Sequence, residues 1–159
     1  MILYHGSLEI VNQPMILEAN RPLDFGQGFY TTTSLPQAGR WVRLRMEQTN
    51  ERKGYINVYE YYPSKNLKQR RFRSANAAWV DFVHDNRTKL DFEHDYDIVE
   101  GPVANDNVYL SFNLYESGII TKAELIRRLK TYKLVNQVLF HTEQSIKTLK
   151  FVDYKEIRR

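Results

Sequence analysis

The sequence predicts a single α+β domain, helices packed on an antiparallel or split sheet, and three observations carry that prediction. Amphipathic helical segments and short strand-like runs follow one another without the regular βαβ alternation of a parallel sheet. Aromatic residues make up 13% of the chain, with 11 Tyr and 8 Phe, a bias that suits pleated, half-buried surfaces. The 159 residues are 42% hydrophobic, enough for one core, and no linker, repeat or low-complexity tract divides 1–159 into parts.

Ile2 to His5 reads as a strand ending at Gly6-Ser7, and the turn-rich run from Arg21-Pro22 to Gly28 as a loop. Phe29 to Thr32 is strand-like. Ser34 then caps a helix whose first turn tolerates Pro36, with Ala38, Trp41, Val42 and Arg45 on one face. Gly54 to Tyr62 alternates as a strand, with Tyr55, Asn57, Tyr59 and Tyr61 on one side, and Pro63 ends it. Leu67 to Phe72 is a further strand. Ala75 to Asn86 is a helix that turns Trp79, Phe82 and Val83 inward, and Tyr96 to Val99 is a strand closed by Gly101-Pro102. Asn105 to Glu116 is helical, with Val108, Phe112 and Tyr115 on one face and Gly118 as its C-cap. Thr121 and Glu124 have capping-box spacing and open a helix to about Lys130. Val135 to Phe140 is an apolar strand, Thr142 to Leu149 one or two helical turns, and Phe151 to Ile157 a terminal strand.

Composition narrows the chemistry. The absence of Cys excludes disulfides, thiolate metal sites and thiol nucleophiles. No run approaches the ~20 apolar residues of a membrane span, and the N-terminal residues lack the basic and apolar regions of a signal peptide. A cytoplasmic location and no membrane partner are expected. The net charge of +4 permits a nucleic-acid partner without requiring one. No phosphate-binding fingerprint occurs: Gly26-Gln27-Gly28 stands before a strand, the wrong context for a dinucleotide-binding turn, and Asp24-Phe25-Gly26 lacks every other kinase element. His84, Asp81 and Asp85 have metal-ligand chemistry but read as a solvated helix face, and no metal is expected.

Four segments have the right chemistry for a site, each with a plain structural alternative. Tyr4-His5-Gly6-Ser7 lets a ligand lie against bare backbone at a strand end; a half-buried His before a turn has the same letters. Gly26 to Thr33 sets glycines, aromatics and hydroxyls in one run, suited to a flat aromatic ligand or to a hairpin entering the core. Gln37 to Trp41 offers an aromatic on the first helix, or a core Trp. Gln137 opens the apolar run 137–140 ahead of His141, as a polar site residue or a strand edge. The tract Lys68 to Arg73 interleaves basic residues with Phe72, as a phosphate track or a charge-protected strand edge, and Arg127 to Lys130 reads as an exposed helix end.

Taken together, these segments resemble the ADP-ribosyltransferase superfamily of the diphtheria-toxin and poly(ADP-ribose)-polymerase type. Tyr4-His5-Gly6-Ser7 matches its first-strand motif, Gly26 to Tyr30 its Gly-x-Gly-aromatic-Tyr segment, and Trp41, eleven residues on, its second aromatic. Gln137 stands where that superfamily places a catalytic Glu. Over nearly its full length the chain resembles a bacterial family of unknown function numbered 3990. The matching segments are Leu3 to Ser7, Asp24 to Tyr30, Trp79 to Arg87, Asp95 to Ala104 and Gln137 to Thr142.

The resemblance implies an ADP-ribosyltransferase-like split antiparallel sheet and NAD+ as the substrate. It implies nicotinamide between Tyr30 and Trp41, its carboxamide on the Gly6 backbone, and a ribose hydroxyl on His5, with Ser7, Gly28, Thr32 and Gln37 lining the rest. His5, Tyr30 and Gln137 would be the catalytic residues. It further implies a mono-ADP-ribosyltransferase that is the toxin of a toxin–antitoxin module, with a macromolecular acceptor, protein or nucleic acid, and a small antitoxin as partners. Two departures bear on mechanism. Ala38 replaces a Ser that bonds the carboxamide in polymerase-like relatives, leaving Gln37, Thr32 or Thr33 to serve. Gln137 carries no charge and cannot act as a base, which argues against chain elongation. Single transfer, NAD+ hydrolysis and a catalytically silent NAD+ or ADP-ribose-binding module remain open. A tRNA 2′-phosphotransferase-like reaction lacks an evident Arg-rich phosphate site. Glu143, close in sequence but beyond the strand, and Asp106 are the alternative carboxylates, ranked below Gln137.

Overall fold

The structure is a computed structural model and describes residues 1–17, 25–89, 93–103 and 106–159. Its elements run in the order β1 (Ile2–Ser7), β2 (Phe29–Thr32), α1 (Leu35–Thr49), β3 (Lys53–Tyr61), β4 (Gln69–Arg71), α2 (Ala77–Thr88), β5 (Ile98–Pro102), α3 (Asp106–Glu116), α4 (Lys122–Leu129), β6 (Asn136–Phe140), α5 (Glu143–Ile146) and β7 (Leu149–Arg158). Asp24, Ala104 and Asn105, named in the motifs and boundaries above, and the side chain of Asp106 lie outside the described residues.

All seven strands join one sheet in the order β4-β5-β6-β2-β1-β3-β7. The fold is α+β, as expected, but the sheet is mixed. β4 and β5 run parallel, with α2 in the connection between them, because two neighbouring parallel strands need a crossover rather than a tight turn. The remaining neighbours are antiparallel. Pairing is uneven along the sheet. β1 registers with β3 over six residues from Ile2↔Glu60 to Ser7↔Tyr55, whereas β1 and β2 share the single pair Tyr4↔Thr32. The sheet therefore has a seam between β1 and β2, with β4-β5-β6-β2 on one side and β1-β3-β7 on the other.

Side-chain alternation distributes three apolar clusters over the two faces. On the first face, Tyr30, Leu139 and Val99 pack with Trp79, Val80 and Val83 of α2, Val108 and Phe112 of α3, and Leu125 and Leu129 of α4. Across the seam the same face carries Tyr4 and Ile56 under Ala38, Val42 and Met46 of α1. The second face gathers Leu3, Phe29, Tyr59, Tyr61, Val138 and Phe140 with Ile146 of α5, and the chain after β1 covers it through Val11 and Ile16. The first face is thus roofed by two separate helical groups, α1 on one side of the seam and α2–α4 on the other.

Ser34 caps α1 by accepting the Gln37 N–H at 3.2 Å, and Asn50 in a left-handed conformation closes it. The buried row of that helix is Ala38, Val42 and Met46 with Gly39, a four-residue repeat. Trp41 and Arg45, expected on the packed face, lie outside that row, and Trp41 is 42% exposed at its rim. β1 extends through Gly6-Ser7 because both residues pair with β3. Gly101-Pro102 continue β5 rather than closing it, opposite Gln137 and Asn136. Asp97, expected in that strand, acts ahead of it as a cap: its carboxylate accepts the Lys68 N–H at 2.8 Å and the Thr142 hydroxyl at 2.7 Å. β3 is buried on both faces through Ile56, Asn57, Val58 and Tyr59, which explains why its alternation was not hydrophobic-in, polar-out. Among the described residues no helix is long and apolar enough to cross a membrane.

Candidate functional site

Strand register assembles the candidate residues at the seam. Tyr4 pairs with Thr32, Thr32 with Gln137 and Gln137 with Gly101, so one transverse row crosses β1, β2, β6 and β5 on the helix-covered face. Extending the antiparallel register by two residues sets Gly6 opposite Tyr30 in the next row, about 7 Å along the strands. Trp41 stands over Gly6: a Cβ on that glycine would come 3.0 Å from Trp41 Cδ1 and 2.8 Å from both the Ala38 carbonyl and Val42. Gly6, Tyr30, Trp41 and Gln137 therefore share one face where the two helical groups part. The missing Cβ at Gly6 is required by α1 itself, which presses its backbone onto β1.

His5 approaches from the other face. Its ring stacks on Phe29 at 4.2 Å, and its Nδ1 lies 2.7 Å from the Tyr30 carbonyl, bridging the seam. A carbonyl only accepts, so Nδ1 carries the proton and Nε2 keeps a bare lone pair. Burial holds the imidazole below the usual His range, partly offset by the bond to Tyr30, so the ring is neutral near pH 7 and Nε2 accepts a hydroxyl proton rather than donating one. Asn57, fully buried on β3, orients this strand end: its Nδ2 donates to the carbonyls of His5 (3.3 Å) and Glu9 (3.1 Å), while its Oδ1 accepts the Val11 N–H at 2.8 Å. Ser7 at the end of β1 accepts the Glu9 N–H through its hydroxyl at 3.2 Å.

Gln137 is 5% exposed, and its amide Nε2 has no hydrogen-bond partner. A buried donor left unpaired costs about 1–3 kcal/mol, so the fold carries a destabilised group at the centre of the row. The neighbouring hydroxyl does not relieve it. Thr32 Oγ1 donates to the Asn136 carbonyl at 2.9 Å and accepts the Ser34 N–H at 3.0 Å. Glu143 sits at the opposite end of β6, exposed in the first turn of α5.

The loop 25–28 closes the other end of β2 and β6. Its three successive carbonyls each receive a side-chain donor: Phe25 from His94 Nε2 at 3.2 Å, Gly26 from the Tyr30 hydroxyl at 2.5 Å, and Gln27 from His141 Nδ1 at 2.6 Å. His94 Nδ1 accepts the Tyr96 N–H, which fixes that ring's tautomer, and the two imidazoles meet edge to face at 4.4 Å. Burial lowers both, His141 to about 4, where the neighbouring His94 adds to the depression and Asp97 opposes it. Gly28 is held by the same packing: a Cβ there would meet the Phe140 carbonyl at 2.8 Å and His141 Nδ1 at 2.9 Å. Sequence reasoning missed this His94–His141 pair, since 47 residues separate the two and neither spacing nor composition links them.

Near the start of β6 lies a cavity of about 370 Å³ lined by Gln37, Arg40, Val103, Lys133 and Val135. Of these, Gln37 alone was anticipated as a site residue. The basic tracts singled out in the sequence are engaged elsewhere: Lys68 pairs with Asp95, Arg71 with Glu100 at 3.1 Å, and Arg128 with Glu124 at 3.2 Å. Asp81 pairs with Lys122 and Asp85 with Lys89, and no metal-binding group of three acidic or His residues occurs among the described residues.

Fold and geometry together define an α+β domain whose candidate residues meet at a sheet seam, with a neutral His on one face and an unpaired buried amide on the other. The chain belongs to the DUF3990 family, a protein family of unknown function whose model matches residues 1–151. A comparison with curated proteins finds no match.

Proposed function

We propose that the seam binds NAD+ and that the chain is a mono-ADP-ribosyltransferase. The observation that carries this reading is the Gln137 amide, buried and unpaired in the same row as Thr32 and one pleat step from the Gly6–Tyr30 row. An orphaned buried donor suits a ligand oxygen, and a ribose hydroxyl is such an acceptor. The aromatic rings of Tyr30 and Trp41 on the same face suit the flat nicotinamide ring, and the free His5 Nε2 suits a second ribose hydroxyl. The sequence resemblance to ADP-ribosyltransferases supports the same assignment of roles.

In this reading the bond between ribose C1′ and the nicotinamide nitrogen breaks, and its electron pair leaves with nicotinamide. C1′ then bonds a nucleophilic oxygen or nitrogen of the acceptor, whose proton passes to solvent. The transition state is oxocarbenium-like, as in glycoside cleavage. Gln137 holds the ribose as it flattens and removes no proton, so the reaction ends after one transfer, to a macromolecule or to water. A role as the toxin of a toxin–antitoxin module, with a small antitoxin as partner, and a cytoplasmic location belong to the same proposal and rest on the family resemblance. Binding of NAD+ without turnover is the rival, favoured by the lack of a carboxylate at position 137.

Nicotinamide release from labelled NAD+ in the presence of cell lysate separates these. The wild type is expected to release nicotinamide. Gln137→Ala is expected to lower the rate by roughly 100- to 1,000-fold, as for loss of a transition-state donor, with a smaller effect on NAD+ binding. Wild-type turnover unaffected by Gln137→Ala removes that residue from the reaction. Tight NAD+ binding without any turnover overturns the enzyme in favour of the binding module.

A further inference from the structure

We infer that Arg40 and Lys133 form a phosphate-binding subsite in the cavity where the N-terminal part of α1 meets the segment entering β6. This deepens the NAD+ reading and rests on it for its biological sense, but its physical basis is separate. The cavity is about 370 Å³, the size of a small-ligand pocket, and three elements meet around it. The N-terminal part of α1 supplies Gln37 and Arg40, the end of β5 leads into Val103, and the segment entering β6 supplies Lys133 and Val135. Val135 stands one residue before β6 and two before Gln137.

What sets Arg40 and Lys133 apart is the hollow they share, since several other cations, Arg43, Arg45 and Lys150 among them, likewise form no ion pair among the described residues. Lys68, Arg71, Lys89, Lys122, Arg127, Arg128 and Arg158 each pair with a carboxylate. Arg40 and Lys133 face one cavity with no acidic partner among the described residues. Arg40 instead donates to Gln37 Oε1 at 2.8 Å, which steadies the guanidinium against α1 and leaves its other N–H donors unused. The first turn of α1 contains no acid, so no carboxylate competes for an anion there, and Ser34 already caps the Gln37 N–H. A guanidinium fork and an ammonium facing one hollow select a polyvalent oxyanion, and phosphate matches that donor set. Val103 and Val135 wall the hollow with apolar surface, which strengthens both charges by excluding part of the water.

Two sources present that chemistry: the diphosphate of a dinucleotide and the backbone of a nucleic-acid acceptor. Calorimetry with inorganic pyrophosphate, ADP-ribose, a short single-stranded RNA and nicotinamide riboside distinguishes them, using wild type, Arg40→Gln, Lys133→Gln and the double variant. Both side chains are exposed, so the variants retain the fold, which thermal denaturation checks. Pyrophosphate is expected to bind the wild type and to weaken roughly tenfold or more in the double variant, with nicotinamide riboside unchanged. A parallel loss for ADP-ribose assigns the subsite to the dinucleotide, and a loss confined to RNA assigns it to the acceptor. Pyrophosphate that does not bind the wild type, or that binds the double variant equally well, overturns the subsite even where NAD+ is cleaved. Pyrophosphate binding lost in the double variant of a protein that neither binds nor cleaves NAD+ upholds the subsite and overturns the NAD+ reading instead.

Discussion

The two ends of β6 differ in how completely the fold uses its polar groups. At the far end, around Phe140 and His141, three carbonyls of the loop 25–28 are each matched by a side-chain donor. At the near end, Gln137 is as deeply buried, yet its amide donor faces no acceptor. The far end also holds an unused atom, His141 Nε2, but that is a bare lone pair beside the His94 ring rather than a donor. One end of the strand is a finished wall. The other keeps an unpaired buried donor, the observation on which the proposed ligand site rests.

The largest expected effect tests the finished end through pH. His141 titrates at about 4 when folded and near 6.5 when unfolded, so unfolding binds a proton between those values. The stability from keeping it neutral is full above pH 6.5 and drains away as pH falls toward 4, by roughly 3 kcal/mol. His94 and His5, also lowered by burial, add in the same direction. Urea unfolding of the wild type from pH 7.5 to 4 is expected to show this loss, and His141→Gln, which retains a donor but does not titrate, to show a shallower slope. Equal slopes would mean that the clamp does not depend on a neutral imidazole.

The unfinished end answers to the opposite change. Gln137→Met keeps the volume and removes the stranded donor, so the fold is expected to gain about 1–3 kcal/mol while ligand binding at the seam is lost. Unfolding midpoints alongside binding isotherms measure both, and a destabilised Gln137→Met would show that the amide is already satisfied. Smallest is Tyr30→Phe, which removes one of the three carbonyl donors and is expected to cost about 0.5–1.5 kcal/mol while leaving the ring in place. A Tm equal to wild type would mean the loop is held without that hydroxyl.

Much of this was legible in the chain because it is local. The Ser34 cap and the strand runs at 29–32 and 136–140 announce themselves by neighbours a few residues apart. The Gly6 and Gln137 positions were also readable as candidates, from motif order. What those candidates do was not. Gly6 lacks a Cβ because α1 lies against it, a tertiary reason that no local pattern expresses. Trp41 was grouped with the packed face of α1, but the row that packs is fixed by Ala38, Val42 and Met46 repeating every four residues. Tyr30 was read for its ring, and its hydroxyl turned out to be committed to Gly26. The strand at 67–72 was legible but its parallel pairing with β5 was not, because orientation is set by the α2 crossover and long-range register rather than by any local pattern. The cavity cations, Arg40 and Lys133, are ordinary surface residues until the fold brings them together.

Strand order has a consequence for the history of each molecule. β6 is inserted between β5 and β2, so the strand that joins those two is made after both of them. Until residues 136–140 emerge, β2 lacks its main partner and the growing chain has no Gln137 to complete the row. The contacts that make the cleft span more than 100 residues of chain, an arrangement that forms late and slowly. A nascent chain of this design therefore holds the row incomplete until β6 has emerged, and the seam is assembled only once the strands on both of its sides are made.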